Sequence, residues 1–256
     1  DDPAAGRRIA RPPAPGSQIT GAATSGDGAL VALAWDESLI ELWDTEAGTL
    51  RATLAPEVVG RYVGALTWSA DGRHLAVAGG DDEELWVSVV DRSGSEVARL
   101  PEADRDGVDG IAVLSFGAGD RLLSHTVFAA RDLASVMGVR VWDWQRAELL
   151  RTLRTPSAVA HFDAVSDRVV ALRMLEGDAE VWDATSAVRL TRLPAAAKFT
   201  EAAFQPGGGQ LATAGADGVV RLWDAATGEP GVVLEGHDAG VQVVAFSPDG
   251  SRLASV

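Results

Sequence analysis

The chain has 256 residues, of which 46% are apolar, and a net charge of −15; that is ordinary for a folded domain and too apolar for disorder. The acidic balance argues against nucleic-acid backbones and anionic membrane surfaces as partners, because both demand clustered Lys and Arg. With no cysteine in the chain, disulfides, thiolate nucleophiles and Cys-ligated zinc or iron–sulfur centres are excluded. No apolar run approaches the roughly 20 residues of a membrane helix, and the opening Asp1-Asp2-Pro3-Ala4 has no leader pattern, so the expected location of this stretch is cytoplasmic. Lys198 is the only lysine, and the Ala, Gly, Asp and Arg bias resembles that of proteins from high-GC bacteria.

Taken in chain order, two markers alternate along the sequence. A first strand is expected near Arg7 to Arg11, within a partial unit over 1–12. Unit 17–54 carries the turn Gly26-Asp27-Gly28 and the strand ending Leu42-Trp43-Asp44. Unit 60–100 carries Ala70-Asp71-Gly72 and the degenerate ending Val89-Val90-Asp91. Unit 108–153 carries Gly117-Ala118-Gly119 and Val141-Trp142-Asp143. Unit 157–193 carries Val165-Ser166-Asp167 and Val181-Trp182-Asp183, and unit 198–234 carries Pro206-Gly207-Gly208 and Leu222-Trp223-Asp224. A final partial unit, 237–256, carries Pro248-Asp249-Gly250. The period is roughly 40 to 50 residues.

Each unit divides into four short strands, here a to d. In the most regular one, strand a is Thr200 to Phe204, b is Gln210 to Ala214, c is Val219 to Trp223 and d is Gly231 to Leu234, separated by Gly-rich turns. Gly tolerates the positive φ that tight hairpins require. No segment holds an apolar period of 3.6 residues, so the expected fold is all-β with helices nearly absent.

Gly236-His237, followed by Val241-x-Val243-Val244-x-Phe246-Ser247-Pro248-Asp249-Gly250 and Leu253-Ala254-Ser255, resembles the first half of a WD40 repeat. Leu211 to Asp224, with Asp217-Gly218 and Leu222-Trp223-Asp224, resembles the second half. The resemblance runs along essentially the whole chain and implies a β-propeller, the repeat units being its four-stranded blades. It also implies a buried chain of hydrogen bonds in each blade, from a His through a Ser or Thr and a turn Asp to the Trp. The blade ending at Trp223 supplies Thr213 and Asp217, but Ala195 falls where the His belongs; His237 and Ser255 supply the first two members of the next. Trp43, Asp44, Trp142, Asp143, Trp182, Asp183, Trp223 and Asp224 are read as structural members of the repeat.

Aligning Asp2 with Asp224 places Asp27-Gly28 on Asp249-Gly250 without a gap. The expectation is five complete blades with a strand d before them and an a–b hairpin after them. Such an array would be an excerpt of a longer chain of six or seven blades, because a missing strand c leaves unpaired backbone at an edge.

Strands in a blade alternate in direction, so the d–a and b–c connections share one face. On it the b–c loop Asp81-Asp82-Glu83-Glu84 and the d–a loop from Pro101 to Gly110, with Glu102, Asp104, Asp106 and Asp109, are expected to form one acidic patch contributed by adjacent blades. Its functional reading is a docking site for a basic segment of another protein. Two other readings stay open: a solvated rim on an acidic protein, and a calcium site at Asp104-x-Asp106-Gly107-x-Asp109, although Ser115 stands where a completing Glu would fall. The long b–c connection from His125 to Gly138, with Phe128, Leu133, Val136 and Met137, either folds back, extends its two strands or offers an apolar patch. Arg61 and Tyr62, the only tyrosine, precede a strand a near the mouth of the expected channel and have the composition of an interface hot spot or of a blade edge.

Signatures of chemistry are missing: no Gly-x-Ser-x-Gly, His-Glu-x-x-His, phosphate loop or dinucleotide fingerprint occurs, and the four histidines are scattered. The reading is a non-catalytic scaffold or sensor module that binds other proteins, with no cofactor and no metal. The alternative is a propeller enzyme or a cofactor- or small-ligand-binding domain using its central channel, to which Arg61 and Tyr62 would contribute. The resemblance also implies a signalling context such as an attached effector domain.

Overall fold

The computed structural model describes residues 17–36, 38–104, 108–117, 119, 121–128, 138–154, 159–163, 166–173, 177–194, 197–207, 209–247 and 249–256. The strand expected over Arg7 to Arg11 lies outside these residues, as do Asp106, Leu133 and Ala195. For Tyr62, Glu102, Asp104, Asp109 and Phe128 the description extends to the backbone.

The described chain is strand after strand. The first sheet is β1 (Ile19–Thr24), β2 (Leu30–Trp35), β3 (Leu39–Asp44) and β4 (Thr49–Thr53). A single helical turn, α1 (Pro56–Val59), leads into the second: β5 (Tyr62–Trp68), β6 (His74–Gly80), β7 (Glu84–Asp91) and β8 (Glu96–Asp104). The third is β9 (Val108–Phe116), β10 (Arg121–Phe128), β11 (Gly138–Asp143) and β12 (Glu148–Arg154). The fourth is β13 (Val159–Asp163), β14 (Arg168–Arg173), β15 (Asp178–Asp183) and β16 (Val188–Leu193). The fifth is β17 (Phe199–Phe204), β18 (Gln210–Gly215), β19 (Val220–Asp224) and β20 (Pro230–Leu234), and β21 (Val244–Phe246) pairs with β22 (Leu253–Ser255) alone. In each four-stranded sheet neighbours in sequence are neighbours in space, and every registered pair is antiparallel.

The chain divides into two compact units, one within Asp1–Phe116 and Trp144–Glu148, the other within Gly117–Asp143 and Leu149–Val256. In the first, the core joins Leu30, Ala32, Ala34, Ile40 and Leu42 of the first sheet to Leu75, Val77 and Val90 of the second, with Val58 and Val59 of α1. Strand β9 packs along β5, and Trp144 meets Phe116 edge-on at 6.1 Å and His74 at 4.7 Å between centroids. In the second unit, Val170, Leu172, Val181, Leu193, Phe199, Leu211 and Trp223 form one cluster, and Ala212, Ala214, Val220, Val241 and Val244 another. Strands β2, β6, β14 and β18, the b strands of four of the sheets, are buried on both faces over most of their length, all six residues of Leu30–Trp35 among them. They therefore read as continuous apolar runs rather than as alternation.

Two local devices make the turns. At a–b, Ser25 Oγ donates to Asp27 Oδ1 at 2.6 Å and Ala29 N to the same oxygen at 3.1 Å, while Gly28 takes φ 70°. Ser69, Asp71 and Arg73 repeat that pattern, and so do Ser247, Asp249 and Ser251. These bonds favour the ionised carboxylate, and they hold Asp71 below the usual range and Asp249 at about 2. At c–d the Asp of three of the four Trp-Asp pairs accepts the turn's own N–H groups: Ala47 N at 2.7 Å for Asp44, Ser186 N at 2.7 Å for Asp183, Thr227 N at 2.8 Å for Asp224. Asp91, after Val89-Val90, does likewise with Ser93 N at 2.8 Å, so the degenerate marker keeps the half that shapes the turn.

Two boundaries differ from expectation. Pro101 to Asp104 and Val108 to Gly110 belong to β8 and β9 rather than to a loop, because β7 is long enough to carry the ladder on: Glu84 pairs with Asp104 and Leu85 with Ala103. Likewise His125 to Phe128 continue β10, with His125 opposite Val139, which leaves residues 129–137 as the connection, outside the description.

Candidate functional site: an acidic cleft on the second sheet

The β6–β7 turn is built by Asp81, whose Oδ1 accepts Glu83 N and Glu84 N, both at 2.9 Å. Its carboxylate caps the turn, and Asp82, Glu83 and Glu84 stand exposed around it. Nearby, α1 begins at Pro56, whose ring suits the first helical position, and ends at Gly60 with φ 73°. Gly60 forms a bridge to Gly80, and a Cβ there would come within 2.3 Å of Gly80 O, so only glycine fits. This approach sets Arg61 N on Gly80 O at 2.7 Å and Arg61 Nη1 on Asp82 Oδ2 at 2.6 Å. Arg61 and the acidic turn, read from sequence as separate features, thus occupy one place.

Behind the turn lies a cavity of about 570 Å³ lined by Glu57, Asp81, Glu84, Leu85, Trp86, Arg99 and Pro101. Trp86, on strand c, is nearly buried and donates Nε1–H to Val58 O at 2.9 Å. Arg99, on strand d, lays its guanidinium over the indole with Cζ 4.9 Å from the ring centroid. It is gripped by Glu96 through Nε at 2.8 Å and Nη2 at 3.1 Å, and donates to Glu57 O as well. Such a stack contributes about 0.5–1 kcal/mol at an exposed position. Glu84 sits opposite Asp104 in the β7–β8 ladder, so these two acids of the predicted segments share one sheet. Glu102 follows on β8, and Asp109 lies on β9. The calcium reading depends on Asp106, which lies outside the described residues; among the described residues no cluster of His, Asp or Glu could hold a metal ion.

A second cavity, of about 440 Å³, belongs to the second unit. Its walls come from β13, β17 and β21 and include His161, Asp163, Glu201, Phe162, Phe204 and Phe246. His161 Nε2 contacts Glu201 Oε1. Burial pushes the Glu201 carboxyl up, but the imidazole and the N–H of Ala202 outweigh it and hold it below the usual range. Neither this pair nor the Trp86 cleft was found by motif reading. Each needs the register of strands some 13 to 40 residues apart in sequence; the available signals were a Trp two residues after Glu84 and the lone His of a strand a.

The repeat residues divide by sheet. Trp223 Nε1 donates to Thr213 Oγ1 at 2.9 Å, and Trp142 Nε1 to Ser124 Oγ at 3.0 Å. Asp217, expected in the same chain of bonds, instead pairs with Arg221 at 2.7 Å. His237 Nε2 lies 2.8 Å from Ser255 Oγ, so those two members do meet. In the first sheet Glu41 Oε2 accepts both Trp35 Nε1 at 3.0 Å and Trp43 Nε1 at 2.9 Å, a carboxylate where the fifth sheet uses a hydroxyl.

The model of the WD domain, G-beta repeat, matches residues 190–224 and 228–256. WD repeat-containing protein 1 of Gallus gallus is 44% identical over 55 residues, 20% of this chain and 9% of that protein. Nuclear distribution protein PAC1 of Arthroderma benhamiae is 30% identical over 169 residues, 60% of this chain and 34% of that protein. Periodic tryptophan protein 2 of Arabidopsis thaliana is 29% identical over 231 residues, 87% of this chain and 23% of that protein. The chain thus spans between 9% and 34% of the length of these relatives. A chain in the crystal structure of the mitotic checkpoint complex superposes with a TM-score of 0.71 at 18% identity, over 94% of this chain and 72% of that one, which gives the fold. No helix among the described residues is long and apolar enough to cross a membrane. With its Trp-Asp turns, its successive four-stranded antiparallel sheets and these matches, the chain carries repeats of the WD40 family, matched at residues 190–224 and 228–256, and has the fold of a β-propeller.

Proposed function

We propose that this chain is a protein-interaction module and that a partner docks a basic segment on the acidic end of the second sheet. Proteins of the WD40-repeat family generally act as scaffolds for other proteins. The observation that carries the choice of surface is the cleft where Glu57, Asp81 and Glu84 surround Trp86. An anionic rim around a buried aromatic wall suits a cationic side chain with an apolar stem. The long-range field of a chain at −15 would also speed encounter with a basic partner. Glu102 and Asp104 lie on β8 of the same sheet and Asp109 on β9 of the next, and Phe128 and Leu133 are not needed for this reading.

The test is capture of interacting proteins from the native host with chemical cross-linking, comparing the chain with a variant carrying Asp82→Asn, Glu83→Gln and Glu84→Gln. Asp81 is left intact because it caps its turn. A protein cross-linked to residues 57–104 and lost by the variant supports the assignment; equal recovery by both forms, with cross-links elsewhere, rejects it. A second reading rests on the cavity of His161 and Glu201, which would suit a small ligand. Its check is stabilisation against heating by a metabolite panel, abolished by His161→Ala.

A further inference from the structure

We infer that the Trp86 cleft is a seat for a guanidinium group and that Arg99 is its resident occupant, which a partner's arginine must displace. This rests on the docking reading above and adds the side chain recognised and a built-in competitor. The chain's own Arg99 already demonstrates the chemistry, with its guanidinium flat over the Trp86 indole at 4.9 Å. Two of its nitrogens are held by Glu96, so its charge is balanced without help from the cavity acids. That leaves Glu57 and Glu84 as acids lining a cavity with no other cation among its lining residues, while Asp81 is engaged in capping its turn. Leu85 and Pro101 complete the walls and offer apolar contact to a methylene stem.

Arg99 can also leave without opening the core. It stands on strand d, its side chain 40% exposed, and Trp86 keeps its bond to Val58 O regardless. A planar guanidinium both stacks on an aromatic face and presents a fork to carboxylates and carbonyls, whereas an ammonium does only the charge-pairing half. The site therefore discriminates arginine from lysine. Arg99 lowers the apparent affinity for an incoming arginine by the fraction of time it covers the ring.

The experiment titrates the full chain by calorimetry with a blocked Gly-Gly-Arg-Gly-Gly peptide and its Lys and citrulline counterparts at low ionic strength. The Arg peptide is expected to bind, the Lys peptide about tenfold more weakly, and the citrulline peptide not at all. Arg99→Ala is expected to tighten the Arg peptide by about tenfold, and Glu57→Gln with Glu84→Gln to abolish it. Arg99→Lys, which keeps the charge and fills the strand edge, should fall between the two and guards against misfolding of the alanine form. Equal binding of Arg and Lys peptides, or an affinity that Arg99→Ala leaves unchanged or weakens, overturns the guanidinium seat; if Glu57 and Glu84 still matter in that case, the docking reading stands. No binding by any peptide overturns both.

Discussion

The fourth and fifth sheets lie in the same compact unit and share a register, yet they stiffen their third strands by opposite means. In the fifth, Trp223 faces Leu211, and the hydroxyl two residues further along, Thr213, takes the indole N–H. In the fourth, Trp182 faces Val169 and the matching position is Ala171, so the Trp182 Nε1–H has no hydrogen-bond partner among the described residues. What the fourth sheet has instead is charge. Asp178 and Glu180 on β15 are 3% and 5% exposed and are met by Arg173 from β14 and by Arg189 and Arg192 from β16. Arg189 reaches Glu180 at 2.8 Å, and Arg192 Nε contacts Asp178. The repeat thus demands three strands held across their faces, not one particular set of polar groups.

If that equivalence is right, breaking the ionic network should have the largest effect. Asp178→Ala removes a buried carboxylate shared by Arg173, which keeps Glu180, and by the half-exposed Arg192, and is expected to cost about 1.5–3 kcal/mol, measured by denaturant unfolding. Asp217→Ala, which removes the partly exposed pair with Arg221 from the fifth sheet, should cost about 1 kcal/mol; equal losses would dissolve the contrast. Next comes the hydroxyl. Thr213→Val orphans the Trp223 N–H and is expected to lose about 1–2 kcal/mol, while Ala171→Ser, by giving Trp182 an acceptor, should gain about 1 kcal/mol. A neutral result for the serine would mean that no rotamer aims its hydroxyl at the indole.

The c–d turns give a smaller contrast. The fourth residue after the Trp-Asp aspartate takes φ 57° as Ala187 in one sheet and φ 74° as Gly228 in the other. A Cβ on Gly228 would meet Thr191 Oγ1 at 2.5 Å. Gly228→Ala should therefore cost about 1–2 kcal/mol, whereas Ala187→Gly trades a packed methyl for relaxed backbone and should shift stability by less than about 0.5 kcal/mol. Acid acts on both sheets alike. Backbone N–H bonds hold Asp183 and Asp224 below their ordinary range. A lowered folded pKa contributes stability that is complete above about pH 4 and is lost as pH falls through the folded values. The melting temperature is expected to fall below pH 4, with both turns contributing; a flat profile from pH 4 to 2 would contradict it.

Much of this fold was legible in the sequence because turns are local. Asp44, Asp183 and Asp224 shape the loops that follow them, and Gly28, Gly72 and Gly250 supply the positive φ at a–b. Strands β17 to β20 fall where alternation and Gly-rich punctuation put them. What stayed hidden depended on partners distant in sequence. The polar run after Pro101 reads as a loop until β7 is seen to carry its ladder that far. Nothing local in the sequence marks Glu41 as the acceptor that Trp35 and Trp43 share. Trp86 and Arg99 alternate like any strand residues, and only the c–d register stacks one on the other.

The Ser-x-Asp-Gly turn has a kinetic consequence. Every bond that closes it spans five residues or fewer, as Ser25 to Asp27 and to Leu30 illustrate. Its loop-closure entropy is therefore small, and an a–b hairpin can form in microseconds, long before strands from different repeats find one another. Hairpins carrying this latch, at Asp27, Asp71 and Asp249, would be the early structure on which slower pairings assemble. Removing one latch should retard refolding more than it hastens unfolding, the mark of contacts already made in the transition state.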